Sequence, residues 1–288
     1  MSIPIVLSRR VYCVIVSLLL AGALGVSLWI TRQQVSPPTL SDYHTYQCNA
    51  AAASRDDNDP RSTFRILTVT SMYAREVADY LCASPVVAKY YAGIEISWKP
   101  RRYLTAEQLL NEEYDLIWSR AHNMRGLVPE FSNYYDTLLR IGHYQVYWFS
   151  REQKPEITAP YLKGRRLGLL NDRLSHTHYL LPLESLKQAG VAIDQQELVY
   201  FDDALSLVTA FRDGSIDLIS GGLWLEQDLD IPLQRTLISD SAVAAGLFVR
   251  RQRAAAVDCE IIAAFQQVRA FFGDGSEMEV EGHDCAAI

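Results

Sequence analysis

The chain has 288 residues, with 27 Lys and Arg against 34 Asp and Glu and a net charge of −7. A general nucleic-acid binder needs a basic stripe to displace counterions, and this balance excludes one. With residues 1–62 set aside for the reasons below, about 225 remain, which suits one large domain or two small lobes.

The first element in chain order is an uncharged stretch at 11–30, preceded by Arg9 and Arg10. About 20 apolar residues suffice to cross a hydrocarbon core of roughly 30 Å, and the arginines belong on the cytoplasmic side. The reading is a cytoplasmic N-terminus at 1–10, a transmembrane anchor at 11–30 and a remainder outside the cytoplasm. A cleavable signal competes with it, because Ala21-Gly22-Ala23 fits a cleavage site and Ser8-Arg9-Arg10-Val11-Tyr12 resembles a twin-arginine export motif. Against cleavage, the apolar run continues through Leu24, Val26, Leu28, Trp29 and Ile30. No lipobox cysteine follows.

Residues 31–62, rich in Gln, Ser, Pro, Asp and Asn, read as a linker or extension. With Cys13 inside the apolar stretch, four cysteines remain: Cys48, Cys82, Cys259 and Cys285. An even number in an exported chain points to disulfides, with four buried free thiols as the alternative. Of the three pairings, Cys48–Cys82 and Cys259–Cys285 would each staple a polar extension to a neighbouring helix. No C-x-x-C or H-x-x-x-H spacing points to a metal.

From residue 63 strand and helix signals alternate. A buried strand at 64–70 leads into a helix from about Ala74, with Val77, Tyr80 and Leu81 on one face. A strand at 94–98, a helix at 106–112 and a strand at 114–118 complete a βαβαβ unit, which implies a parallel sheet. Alternation at 144–149 suggests a strand leaving this first lobe, placed at 63–145.

The second lobe, at 146–235, repeats the scheme: strand 167–170, helix 176–188 stopped by Gly190, strand 198–201, helix 204–212 and strand 216–220. A strand at 242–249 and a helix at 260–272 read as a return to the first lobe, within 236–288. No internal repeat stands out in the sequence. Two α/β lobes joined by crossing strands place a cleft at the carboxyl ends of the strands.

The segment from Leu162 through Asp172, Ser175, His176, Thr177, His178, Tyr179 and Pro182 to Gly190 resembles the second lobe of the phosphonate-type periplasmic substrate-binding proteins. In that family an aspartate precedes a Ser-Thr-Ser-Gly-Tyr-like run, with a proline inside the helix. Gly142-His143-Tyr144 resembles the strand that enters this lobe, and Ala210-Phe211-Arg212-Asp213-Gly214-Ser215-Ile216-Asp217 resembles the helix, turn and aspartate that recur there. The likeness spans about residues 64–250, dense in the second lobe and thin in the first. It implies an α/β, two-lobed type 2 periplasmic binding protein-like fold with a central cleft, preceded here by one N-terminal transmembrane helix. It also implies a solute receptor for an ABC transporter of phosphate, phosphite or phosphonates.

The candidate ligand residues follow. Ser175, His176 and Thr177 open a helix, where unpaired amides favour an anion; the plain alternative is that Ser175 only caps it. His176 and His178 depart from the family's small residues, and at this spacing they share no helical face for a metal. Ser71 and Tyr73 after the first strand, with Thr70 and Met72, and Ser119 and Arg120 after the third, with His122, stand at strand ends that face the cleft. Arg125 lies six residues before Phe131-Ser132, the spacing of the ligand-clamping arginine in the related amino-acid-binding family. That weaker similarity breaks at Gly222, where an amine-binding aspartate would stand, and Glu226 is its nearest substitute. Asp202 and Asp203 read as strand-end surface residues. No nucleophile elbow, nucleotide loop or Cys/His signature is present, so no enzyme and no cofactor is expected.

The expected function is a membrane-anchored periplasmic solute-binding protein that captures a small oxyanion for an inner-membrane transporter or sensor. A second expectation is a regulatory subunit of an inner-membrane complex that keeps the fold without the ligand.

Overall fold

A computed structural model describes Gly22 and residues 44–50, 61–242, 245–268, 278–280 and Cys285. Gly22 apart, these belong to one compact unit, His44–Ile288. The apolar stretch at 11–30 lies outside the described residues apart from Gly22, and no described helix is long and apolar enough to cross a membrane.

Two sheets form the unit. The strands are β1 (Thr45–Asn49), β2 (Thr63–Thr68), β3 (Gly93–Trp98), β4 (Leu116–Ser119), β5 (Tyr135–Ile141), β6 (Tyr144–Ser150), β7 (Arg166–Leu170), β8 (Glu197–Phe201), β9 (Leu218–Gly221), β10 (Gln234–Ala242), β11 (Gly246–Arg250) and β12 (Met278–Val280). The first sheet runs β1-β3-β2-β4-β11-β5-β12 and the second β10-β6-β9-β7-β8. In each, three strands are parallel, β3-β2-β4 and β8-β7-β9, as the alternating strand and helix signals predict. Antiparallel strands extend both sheets: β11 on β4 and β6 on β9. The chain passes from sheet to sheet twice, between Ile141 and Tyr144 and again between Ala242 and Gly246.

The elements follow from local chemistry. Helix Ala74–Ala83 buries Ala74, Val77, Ala78, Leu81 and Cys82, a helical stripe pressed on the first sheet. Helix Ala204–Arg212 starts where the Asp203 carboxylate accepts from the Ser206 amide at 2.8 Å. Gly190, at φ 71°, ends helix Leu181–Gln188 in the left-handed conformation. Strand β4 is buried along its whole length: Leu116 and Trp118 enter one core and Ile117 another, so that sheet is covered on both faces.

Two expectations are corrected. The stretch 31–62 is not all extension, because Thr45–Asn49 pairs antiparallel with β3 as an edge strand. The helix expected over 176–188 begins as a wide turn, His176–Leu180, with the Leu180 amide bonded to the Ser175 carbonyl at 2.9 Å. Pro182 has no N–H to return to the preceding turn, which favours the wider i→i−5 bonding. The same three residues, Asp115-Leu116-Ile117 and Asp217-Leu218-Ile219, open the third parallel strand of each lobe. The carboxylates of Asp115 and Asp217 accept from the Arg65 and Arg166 amides at 2.8 and 2.7 Å, each pinning the third parallel strand to the first.

Both expected disulfides are present, Cys48–Cys82 and Cys259–Cys285, with Cα separations of 6.2 and 5.5 Å. The first ties β1 to helix Ala74–Ala83.

Candidate functional site

The carboxyl ends of the parallel strands of both lobes converge on a cavity of about 90 Å³. The segment after β2 brings Thr70, the segment after β3 brings Arg101, and β4 brings Trp118 with Arg120 just past its end; the second lobe adds Ser175, Thr177 and His178, with Tyr144 where the chain crosses. Trp118, Trp224, Leu170 and Ile141 give it apolar walls. No carboxylate is among the described residues that line it.

Two guanidinium groups set its charge. Arg120 is 4% exposed; burial and the neighbouring Arg101 cation lower its pKa to about 10, against the opposing pull of the Tyr144 hydroxyl and Asp172. Arg120 therefore stays cationic at neutral pH, and its Nη1 donates to the Leu174 carbonyl at 3.2 Å across the lobes. Arg101 pairs with the buried Asp172 carboxylate at 2.9 Å. One carboxylate against two cations leaves the cavity positive.

The hydroxyl groups surround this charge. Tyr144 and Thr177 share a hydrogen bond of 2.6 Å. Ser175, 3% exposed, accepts from the His178 amide at 3.3 Å, so it does cap the turn, and its own hydroxyl proton is left to donate. His178 is buried behind it, its pKa lowered to about 4 by desolvation, and its Nδ1 has no hydrogen-bond partner. His176 stacks on His122 at 6.4 Å, and desolvation together with Arg120 lowers it to about 4.

The lobes are joined by more than the cavity. The Tyr73 hydroxyl donates to Asp228. Burial and then that carboxylate raise the phenol's pKa. Met72 packs against the core of the second lobe, and Arg102 donates to the Asn171 carbonyl at 2.5 Å.

Of the expected ligand residues, Arg120, Ser175 and Thr177 line the cavity together. Ser119 is buried and lines an adjoining cavity of about 280 Å³ with His122. Ser71 contributes a carbonyl to the turn before helix Ala74–Ala83, Tyr73 spans the lobes and His176 stacks on His122; none of the three lines the cavity. Arg125 is corrected: it lies exposed on helix Ala121–Leu127 and does not line the cavity, because the buried position on that helix is Met124. Glu226 does not replace the missing aspartate, since it pairs with Arg235, and the Trp224 ring packs over Gly222. Asp203 caps a helix and Asp202 accepts from Asn171 at 3.0 Å. Arg101 and Tyr144 were not among the expected ligand residues. The signal for Arg101 was its place in Trp98-Lys99-Pro100-Arg101, just past the end of the second parallel strand.

No protein-family model and no curated protein matches the chain. Solved structures do. PhnD1 of Prochlorococcus marinus in complex with methylphosphonate is similar over 76% of this chain and 92% of its own, at 11% identity and a TM-score of 0.50. A binding-protein component of an ABC phosphonate transporter from Pseudomonas aeruginosa is similar over 77% and 82%, at 10% identity and a TM-score of 0.49. An ancestral arginine-binding protein bound to glutamine is similar over 75% and 100%, at 13% identity and a TM-score of 0.41. The sheet order, the double crossing and the likeness to the methylphosphonate complex give the chain the fold of the type 2 periplasmic binding proteins.

Proposed function

We propose that the chain is a membrane-tethered periplasmic receptor that closes on a small oxyanion of the phosphate or phosphonate class and presents it to an inner-membrane transporter or sensor. The observation that carries this reading is the cavity wall: the cationic Arg101 and Arg120 beside the hydroxyl groups of Ser175, Thr177 and Tyr144, with no carboxylate lining it among the described residues. Guanidinium groups recognise tetrahedral oxyanions by charge-assisted, directional hydrogen bonds, and low exposure strengthens them. An amino-acid ligand would bring an ammonium group for which this wall has no acidic partner. Trp118 and Leu170 offer apolar surface to a carbon substituent. The two crossings between the sheets are the natural hinge.

Titration calorimetry of the full chain in mild detergent tests this. Methylphosphonate or phosphate should give saturable heat, and arginine or glutamine none. Arg120→Ala should weaken binding by about 100-fold, the loss expected for a charged hydrogen-bond donor. The bridges Tyr73–Asp228 and Arg101–Asp172, made by the chain's own side chains, favour a second reading in which the fold serves an interaction partner without ligand. That reading predicts no heat with any of these compounds.

A further inference from the structure

His178 has no part in the charge recognition just described, yet it is 92% buried and lines the same cavity. Its ring is held edge-on to Trp224, with centroids 6.5 Å apart and planes at 84°. The wide turn His176–Leu180 carries it inward. The Ser220 backbone carbonyl lies close enough to the ring to raise its pKa against the desolvation. Nδ1 makes no hydrogen bond, and we place the ring proton on Nε2, beside that carbonyl. A neutral imidazole has one donor and one acceptor, and Nδ1 is therefore a bare lone pair buried in the cavity wall. Desolvation and the nearby Arg101 keep the ring neutral, with its pKa lowered to about 4.

The other polar groups of the wall complement this one. Arg101 and Arg120 are donors only, and the Ser175 oxygen already accepts from the His178 amide, leaving its proton free to give. Among the described residues that line the cavity, the arginines can only give, the hydroxyls of Thr70, Ser175, Thr177 and Tyr144 can give or accept, and His178 Nδ1 in this tautomer can only accept. An anion whose oxygens all lack protons would set lone pair against lone pair there, and the buried acceptor would stay unpaired.

Resting on the oxyanion reading above, we infer that His178 is a specificity residue that selects anions carrying a hydrogen-bond donor, such as a monoprotonated phosphonate, over isosteric sulfonates. The ligand's P–OH would donate to Nδ1 while its charged oxygens face Arg120 and Ser175. The same logic makes a site built to pair one hydroxyl discriminate strongly against an analogue that lacks it.

Methylphosphonate and methanesulfonate differ little in shape, so the full chain should be titrated calorimetrically with each. The phosphonate should bind at least about 10-fold tighter. His178→Phe should bring that ratio toward one, and His178→Gln, whose amide oxygen can accept, should retain a preference. Equal affinities in the unaltered chain, or a preference undiminished in His178→Phe, overturn the inference while leaving the oxyanion reading intact. No heat with either anion overturns both. If His178→Phe does not fold, as judged by loss of its thermal transition, the ratio in the unaltered chain and in His178→Gln still decides.

Discussion

A buried neutral histidine makes the fold acid-sensitive on its own account. The imidazole of His178 would take up a proton near its ordinary value of 6.5 in the unfolded chain but only near 4 in the folded one. Between those values the unfolded state binds more protons, so stability is lost as pH falls through the window. The full window corresponds to about 3 kcal/mol. His176, half-buried, acts in the same direction. The melting temperature should therefore drop more steeply from pH 7 to pH 5 in the unaltered chain than in His178→Phe, and parallel slopes would contradict this. At this scale the sequence was partly readable. Arg120, Ser175 and Thr177 stand at strand ends and meet in the cavity. Arg101, just past the end of β3, carried the same strand-end signal, whereas Tyr144 reaches the cavity where the chain crosses between the sheets, and no local pattern encodes that.

Among the elements, β1 is the one whose place depends most on a covalent bond. It is an edge strand of five residues, half-exposed, tied through Cys48 to Cys82 across 34 residues. Replacing both cysteines with alanine should cost on the order of 3 kcal/mol, read as a lower denaturant midpoint. A midpoint unchanged from that of the disulfide-bonded chain would show that the staple adds nothing. The parallel strands were legible because both faces of their sheet are covered, which forces apolar runs such as Leu116-Ile117-Trp118. Strands β1 and β10 escaped because polar residues break their apolar runs, as in Gln234–Ala242, whose flank at the sheet edge meets water. Helix Ala121–Leu127 buries Met124 alone, too little for a periodic signal.

For the molecule as a whole, a few side chains bridge the two lobes. Tyr73 begins its helix at φ 59° and holds Asp228 across the lobes. Tyr73→Phe removes the bond and leaves the aromatic body, so it should shift the population toward the open form without unfolding either core. Backbone amides at 171–178, which face the first lobe through Asp172 and Leu174, should then exchange faster with deuterated solvent. Unchanged protection would mean that the remaining bridges suffice. The order of the disulfides bears on how such a chain is made. Of the four bonded cysteines, each pairs with its nearest neighbour along the sequence, 48 with 82 and 259 with 285, so neither loop encloses or interleaves with the other. In a chain emerging N-terminus first, Cys82 is the first of this set to reach Cys48, and once that bond has formed Cys285 is the one partner of the four left for Cys259. Oxidation in order of appearance gives the native pairing, and no mispaired bond has to be undone.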